Sequence, residues 1–229
     1  MDVSHNPAGR RLLITGASGY LGGALTAAAR AAGWQLTGTR HTGGGDGLVL
    51  DVLDRGAVDA LVAGVAPDVV VHTAYQQSGP DMWAVNESGS RAVAAAAARA
   101  GARLLHLSTD FVFDGELRRP YREDDPPRPV TEYGHSKLAA ERAVAELHPA
   151  ALVVRTSLIY GGAVPGPHER LVLDALAGRV EVGFFEDELR SPVAAPDLAA
   201  ALLELAMGDA GGILHVAGPE PVSRLEFAR

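Results

Sequence analysis

The chain has no cysteine among its 229 residues, so neither a disulfide framework nor a thiolate metal site is open to it. It has no excess of basic charge: the formal net charge is −8, whereas a phosphate-backbone partner calls for a basic face. It has no apolar run before Leu12 of the kind a secretion signal carries. No segment has the continuous apolarity of a membrane span; the alanine run after Ala92 is short and bounded by Arg91 and Arg99. No internal repeat or low-complexity tail is visible. From these absences we expect a cytoplasmic protein that binds neither nucleic acid nor membrane, with one domain and an elaboration.

What is present is alternation. The apolar runs "RLLIT", "QLTGT", "LVL", "DVVVH", "RLLHL", "ALVVR" and "ILHV" read as strands. Helical patterns lie between them at Tyr20 to Ala32, Arg55 to Val65, Pro80 to Ala100, Glu132 to Leu147 and Pro196 to Met207. Several strands are continuously apolar, as expected where helices cover both faces of a parallel sheet. The reading is an α/β fold: a Rossmann-type doubly wound parallel sheet. Residues 1–10 are expected to form a tail and 11–160 the dinucleotide-binding domain. Residues 161–229 would form a small, incomplete C-terminal lobe, interleaved with a last helix and strand over 195–217. Two stretches break the alternation. "DGELRRPYREDDPPRPVTE" reads as a functional loop, and "YGGAVPGPHER" onward to "FFEDELRSPV" as an irregular lobe over one sheet edge.

Three glycines sit where the first strand hands over to the first helix, in "LLITGASGYLGG". Gly16 allows a tight turn, Gly19 lets backbone N–H groups approach a diphosphate, and Gly22 lets the helix pack closely. The helix N-terminus then offers unpaired donors and a positive dipole end. This predicts a dinucleotide site. The second strand ends "GTRHTGGG", with Arg40 and no acid until Asp46. An arginine there suits the 2′-phosphate of NADP, where an acid would suit NAD; NADP(H) is therefore expected in preference to NAD(H).

In "EYGHSKLAAE", Tyr133 and Lys137 stand four apart on a helix and share one face. An adjacent ammonium is expected to lower the phenol's pKa and fit it for proton transfer. "HLSTDFVFDG" puts Ser108, Thr109 and Asp110 at the carboxyl end of a strand expected to close at Leu107, where α/β sheets bind ligands. The histidines show no ligand spacing, and His72 and His106 read as buried, hydrogen-bonded side chains rather than metal ligands. No metal site is expected.

Taken together, "TGASGYLGG", "STDFVFDG", "YGHSKLAAE", "RTSLIYGG", "ELRSPVAAPDLA" and "ILHVAGPEPVSRLEFAR" resemble the extended short-chain dehydrogenase/reductases. Within them the similarity is to the dTDP-4-dehydrorhamnose reductase family, from Arg11 to Arg229. The resemblance implies an NADPH-dependent reductase of a 4-keto nucleotide sugar, with hydride delivered to C4 and a homodimer as a possible assembly. It implies Tyr133 as proton donor, Lys137 as the group that holds the nicotinamide ribose and poises Tyr133, and Thr109 as the hydroxyl that polarises the carbonyl. The implied cofactor contacts are Gly16, Ser18, Gly19, Tyr20, Leu21, Gly22, Arg40, Asp51, Val52, Thr73, Ala74, Tyr75, Ser108, Tyr133 and Lys137. The implied substrate contacts are Thr109, Asp110, Phe111, Leu158 and Arg190. Asn86 matches a helix asparagine that the superfamily uses structurally.

The chain departs from that pattern in four places. The loop "HTAYQQSGPDMWAVN" differs from the family's version, so its substrate contacts do not carry over. Leu158 stands where tryptophan is common, and Phe111 where tyrosine is. The sequence ends at "SRLEFAR" as a helix begins, where the family continues, so the expectation is either a shortened chain or a minimal member. Two alternatives stay open: a nucleotide-sugar epimerase or dehydratase holding NAD, and a non-catalytic NADP-binding regulatory subunit. Arg40 and "STDFVFDG" weigh against the first; the joint presence of Thr109, Tyr133 and Lys137 weighs against the second.

Overall fold

The computed structural model describes Pro7, residues 9–42 and residues 46–229. Of the expected N-terminal tail, residues 1–6 and 8 lie outside the described residues. The chain runs β1 (Arg11–Thr15), α1 (Tyr20–Ala31), β2 (Gln35–Arg40), β3 (Leu48–Val49), α2 (Arg55–Val65) and β4 (Val69–His72). A π-helical turn (Ala84–Gly89) leads into α3 (Ser90–Ala100), followed by β5 (Arg103–Thr109) and a 3-10 turn (Asp110–Val112). Then come α4 (Glu132–Leu147), β6 (Leu152–Thr156), β7 (Ile159–Tyr160), α5 (Pro167–Leu176), β8 (Leu189–Arg190) and β9 (Val193–Ala194). The chain closes with α6 (Ala195–Met207), β10 (Gly212–His215), β11 (Val222–Ser223) and α7 (Arg224–Ala228).

The seven expected strands form one sheet in the order β10-β6-β5-β4-β1-β2-β3. Every pairing in it is parallel. Strand order reverses between β1 and β4, the switch point outside which a doubly wound sheet opens a crevice. The two-residue period of each strand divides its side chains between two cores. Leu12, Ile14, Val69, Val71, Leu105 and Val154 face α1 and α6. Leu13, Val70, Leu104 and Val153 face α2, α3 and α4. Among the described residues five α-helices follow the expected spans; α5, in the stretch read as irregular, is additional, and α7 lies where the terminal "SRLEFAR" read as the start of a helix.

β5 runs two residues beyond its expected end. Ser108 and Thr109 stay in register with Arg155 and Thr156 of β6, so pairing with a neighbour extends the strand where its own polar residues suggested a loop. Beyond the sheet, β11 pairs antiparallel with β8 and β7 pairs with β9, and these short pairs carry α5 and α7 above the carboxyl edge. α4 begins with Thr131, whose hydroxyl accepts from Gly134 N at 3.0 Å. That cap sets the start of the helix on which Tyr133 and Lys137 ride.

Candidate active site

The glycine turn is a close-packed cradle. Gly16 has φ +78, and a Cβ on it would stand 2.8 Å from the backbone nitrogen of Ala74. A Cβ on Gly22 would stand 2.1 Å from the carbonyl oxygen of Gly16, so α1 packs against the turn itself. Gly19 caps α1 with no side-chain hydrogen bond and no acid lies in its first turn, which leaves helix N–H donors facing outward for an anion. Ala17 N donates to Thr39 O at 2.7 Å, tying the turn to the end of β2 and bringing Arg40 beside it. Thr73 donates from its hydroxyl to Thr15 O at 2.8 Å. The cradle therefore fits the diphosphate and adenosine end of a dinucleotide, with Gly16, Ser18, Gly19, Gly22, Arg40, Thr73 and Ala74 gathered around it.

Other expected cofactor contacts are placed differently. The Tyr20 phenol donates to Glu169 Oε2 at 3.0 Å and accepts from Gly162 N at 2.7 Å. Its hydroxyl thus anchors α5 to the cofactor turn. The Leu21 side chain is buried in the core below the turn. Asp51 accepts from Leu53 N at 2.9 Å, a local turn contact, and Val52 packs under Gly89. Ser108 turns its hydroxyl inward to Glu141 Oε1 at 2.5 Å. Among the expected substrate contacts, Leu158 is 3% exposed.

At the carboxyl end of β5, seven expected residues meet. Thr109 lies beside the Tyr133 phenol; its hydroxyl donates to Asp110 Oδ1 at 3.3 Å and accepts from Phe111 N at 3.2 Å. The Phe111 ring stands edge-on to Tyr133 with centroids 5.8 Å apart, and Tyr75 flanks it at 6.1 Å. Arg190 grips Asp110 with two nitrogens, Nε to Oδ2 at 2.8 Å, and its guanidinium lies 4.4 Å from the Phe111 ring centroid. Lys137 is buried behind Tyr133 and donates from Nζ to Leu107 O at 2.6 Å.

The electrostatics differ from the expectation for the pair. Burial raises the Tyr133 phenol above its ordinary value, with Tyr75 and the Asp110 carboxylate adding to the rise. The Thr109 hydrogen bond and the Arg190 charge oppose it. Lys137 does not act on the phenol in this arrangement, because its ammonium is turned to the β5 backbone. Burial instead pushes Lys137 itself down to about 8, with Glu141 opposing. A neutral phenol is the form required of a proton donor.

A supporting layer went unread in the sequence. Glu141 and Arg155 form a buried pair, Nε to Oε1 at 3.0 Å and Nη2 to Oε2 at 2.7 Å. The available signals were a carboxylate four residues after Lys137 and an arginine closing an otherwise apolar strand. Asn86, which the resemblance did mark as structural, is fully buried; it clamps the backbone of Gln76 at 2.9 and 2.8 Å and donates to Ser136 Oγ at 2.9 Å. It holds the loop bearing Tyr75 against α4. Among the described residues no group of three or more His, Asp or Glu side chains gathers to hold a metal ion. No helix there is long and apolar enough to cross a membrane.

Residues 10–229 match the RmlD substrate binding domain family. The chain is 38% identical over 231 residues to a dTDP-4-dehydrorhamnose reductase of Mycobacterium tuberculosis, covering 96% of this chain and 73% of that protein. It is 34% identical to a dTDP-4-keto-6-deoxy-D-glucose reductase of Streptomyces niveus, covering 96% and 76%. Among solved structures it resembles dTDP-4-dehydrorhamnose reductase from Bacillus anthracis in complex with NADP. That likeness has a TM-score of 0.85 and 29% identity, over 96% of this chain and 78% of the other. The Bordetella bronchiseptica enzyme WbmG, solved with NAD and UDP, aligns with a TM-score of 0.81 and 27% identity over 94% and 75%. The glycine turn and the hydroxyl cluster at the end of β5 therefore sit on a chain that belongs to the RmlD substrate binding domain family, within the NAD(P)-dependent oxidoreductases of the extended short-chain dehydrogenase/reductase type.

Proposed function

We propose that the protein reduces a 4-keto nucleotide sugar of the dTDP-4-dehydrorhamnose class, using NADPH in preference to NADH. The observation that carries this reading is the meeting of Thr109 with the Tyr133 phenol, flanked by the Phe111 and Tyr75 rings, at the carboxyl end of β5, on a chain similar to named reductases of such sugars. When bound, NADPH supplies the hydride, which goes to C4 of the sugar. The glycine turn and the open N-terminus of α1 hold the diphosphate, Arg40 the 2′-phosphate, and Lys137 the ribose. Thr109 donates to the substrate carbonyl and orients it. Tyr133 gives its proton to the oxygen that becomes the alkoxide. Asp110, Phe111 and Arg190 border the sugar, with Phe111 offering an apolar surface in place of a hydroxyl. Residues 161–229, apart from the interleaved helix and strand over 195–217, act as the substrate lobe, with β8 delivering Arg190 to the cleft.

The test is NADPH consumption with a dTDP-4-keto sugar by wild type and Tyr133→Phe, with melting temperatures as fold controls. Loss of the proton donor should lower turnover about 10²–10⁴-fold while leaving NADPH affinity unchanged. A Tyr133→Phe enzyme working at the wild-type rate would overturn the assignment. Tight NADPH binding with no turnover of any such sugar would favour a regulatory subunit.

A further inference from the structure

The α3–α4 face of the sheet carries a polar row that the reduction itself does not use. Thr15, His72 and His106 lie side by side on β1, β4 and β5, and each is no more than 1% exposed. Polar groups in such a place cost stability unless they are paired. His106, expected to be hydrogen-bonded, has no hydrogen-bond partner among the described residues at either ring nitrogen, whereas His72 is paired at both: Nδ1 stands 2.6 Å from Thr15 Oγ1 and Nε2 stands 3.1 Å from Ser90 Oγ.

The directions of these bonds follow from counting protons. Ser90 donates its single hydroxyl proton to Asn86 O at 2.5 Å, so toward His72 it can only accept. Nε2 therefore carries the hydrogen. Burial and the nearby Lys137 charge keep the ring neutral, its pKa pushed down to about 3. Nδ1 is then bare and accepts from Thr15. Asn86 continues from its side chain, donating to Ser136 Oγ at 2.9 Å, and Ser136 donates to the carbonyl of Tyr133 at 2.7 Å. Every proton points the same way, from the residue before Gly16 to the backbone of Tyr133. Two elements that are remote in sequence are thereby joined through hydrogen bonds with defined directions.

We propose that His72, as a neutral Nε2–H imidazole, is a positioning residue that sets Tyr133 relative to the cofactor turn through Ser90, Asn86 and Ser136. It touches neither substrate nor cofactor. Its effect falls on the placement of the proton donor and hence on kcat, with binding left largely alone. The kinetic part rests on the reduction proposed above; the tautomer does not.

Nitrogen-15 NMR of the cofactor-free protein should show His72 as the neutral Nε2–H form, and an Nδ1–H ring or an imidazolium would overturn the proposal. His72→Phe keeps the ring's bulk and loses both nitrogens. It should lower kcat about 10–100-fold, the scale of a small misplacement of a reacting group, with sugar KM and NADPH Kd changed less than about threefold. His72→Gln, which can restore a donor to Ser90, should recover most of that loss. A folded Phe variant with wild-type kcat, or a Gln variant as slow as Phe, sinks the idea. Should the Phe variant fail to fold, Ser90→Ala breaks the next link and should show the same loss in kcat; unchanged kcat would count against us. If the wild type reduces no sugar nucleotide, the functional reading fails by itself. The amide signals of Tyr133 and Lys137 in Ser90→Ala then decide: displacement supports the chain, and wild-type positions refute it.

Discussion

Lys137 is a buried ammonium that folding disfavours and that the proposed ribose contact requires. Its pKa in the fold, about 8, lies below the ordinary 10.5. Between those two values the unfolded chain holds a proton that the folded chain has released, so this group makes stability rise with pH across that window. Removing the ammonium with Lys137→Met should raise thermal stability at pH 7, and the gain should shrink as pH climbs from about 8 toward 10.5; pH-dependent melting curves measure it. Function should run the other way. As pH rises through about 8 the charge offered to the ribose is lost, so NADPH affinity should weaken there, read by fluorescence titration. The Tyr133 phenol, raised by burial, stays protonated across this range and so is not the origin of that loss. Arg40 supplies a second residue-scale prediction. Arg40→Ala should weaken NADPH by about 1.5–3 kcal/mol, the scale of a charge-assisted contact, and leave NADH nearly unchanged. Calorimetry showing equal losses for both would remove the assigned cofactor preference.

At the scale of elements, α4 is held to the sheet by ions as well as by apolar packing. Glu141 joins α4 to β5 through Ser108 and to β6 through Arg155, with both charged side chains about 5% exposed or less. Removing one partner of such a pair strands a buried charge. Glu141→Ala should therefore cost about 3–5 kcal/mol, whereas Glu141→Leu with Arg155→Met should recover most of it. Chemical denaturation of the two variants would decide, and equal losses would mean that packing rather than charge holds α4. The same bonds explain why Ser108 turns inward while Thr109 turns to the cleft, since successive strand residues face opposite sides. Tyr20 links elements in a comparable way, with its phenol tying the start of α1 to Glu169 of α5.

Across the whole molecule, the legible features were those with a short-range physical cause. Strand runs, helical periodicity, the glycine spacing and the Tyr133–Lys137 pair each depend on residues within a turn or two of one another, so composition and spacing suffice to place them. The doubly wound architecture follows from their alternation. Strand order is a different kind of fact. It sets β4 between β1 and β5, and so brings Thr15 against His72 and His72 against His106, residues that no local pattern connects. Side-chain direction was equally out of reach. The bond from the Tyr20 hydroxyl to Glu169 had no signal in the local pattern, and Lys137 read as lowering the phenol's pKa until its ammonium was seen on Leu107 O. α5 was missed because Pro165, Gly166 and Pro167 signal a break, whereas Pro167 opens the helix and Glu169 caps it through Gly166 N at 2.7 Å. By itself the sequence determined which elements form and which chemical groups reach the carboxyl edge, because propensity, periodicity and turn geometry act locally. Only the tertiary structure decided which groups meet, which way their protons point and how burial shifts their charge, because those depend on neighbours that the chain reaches only by folding.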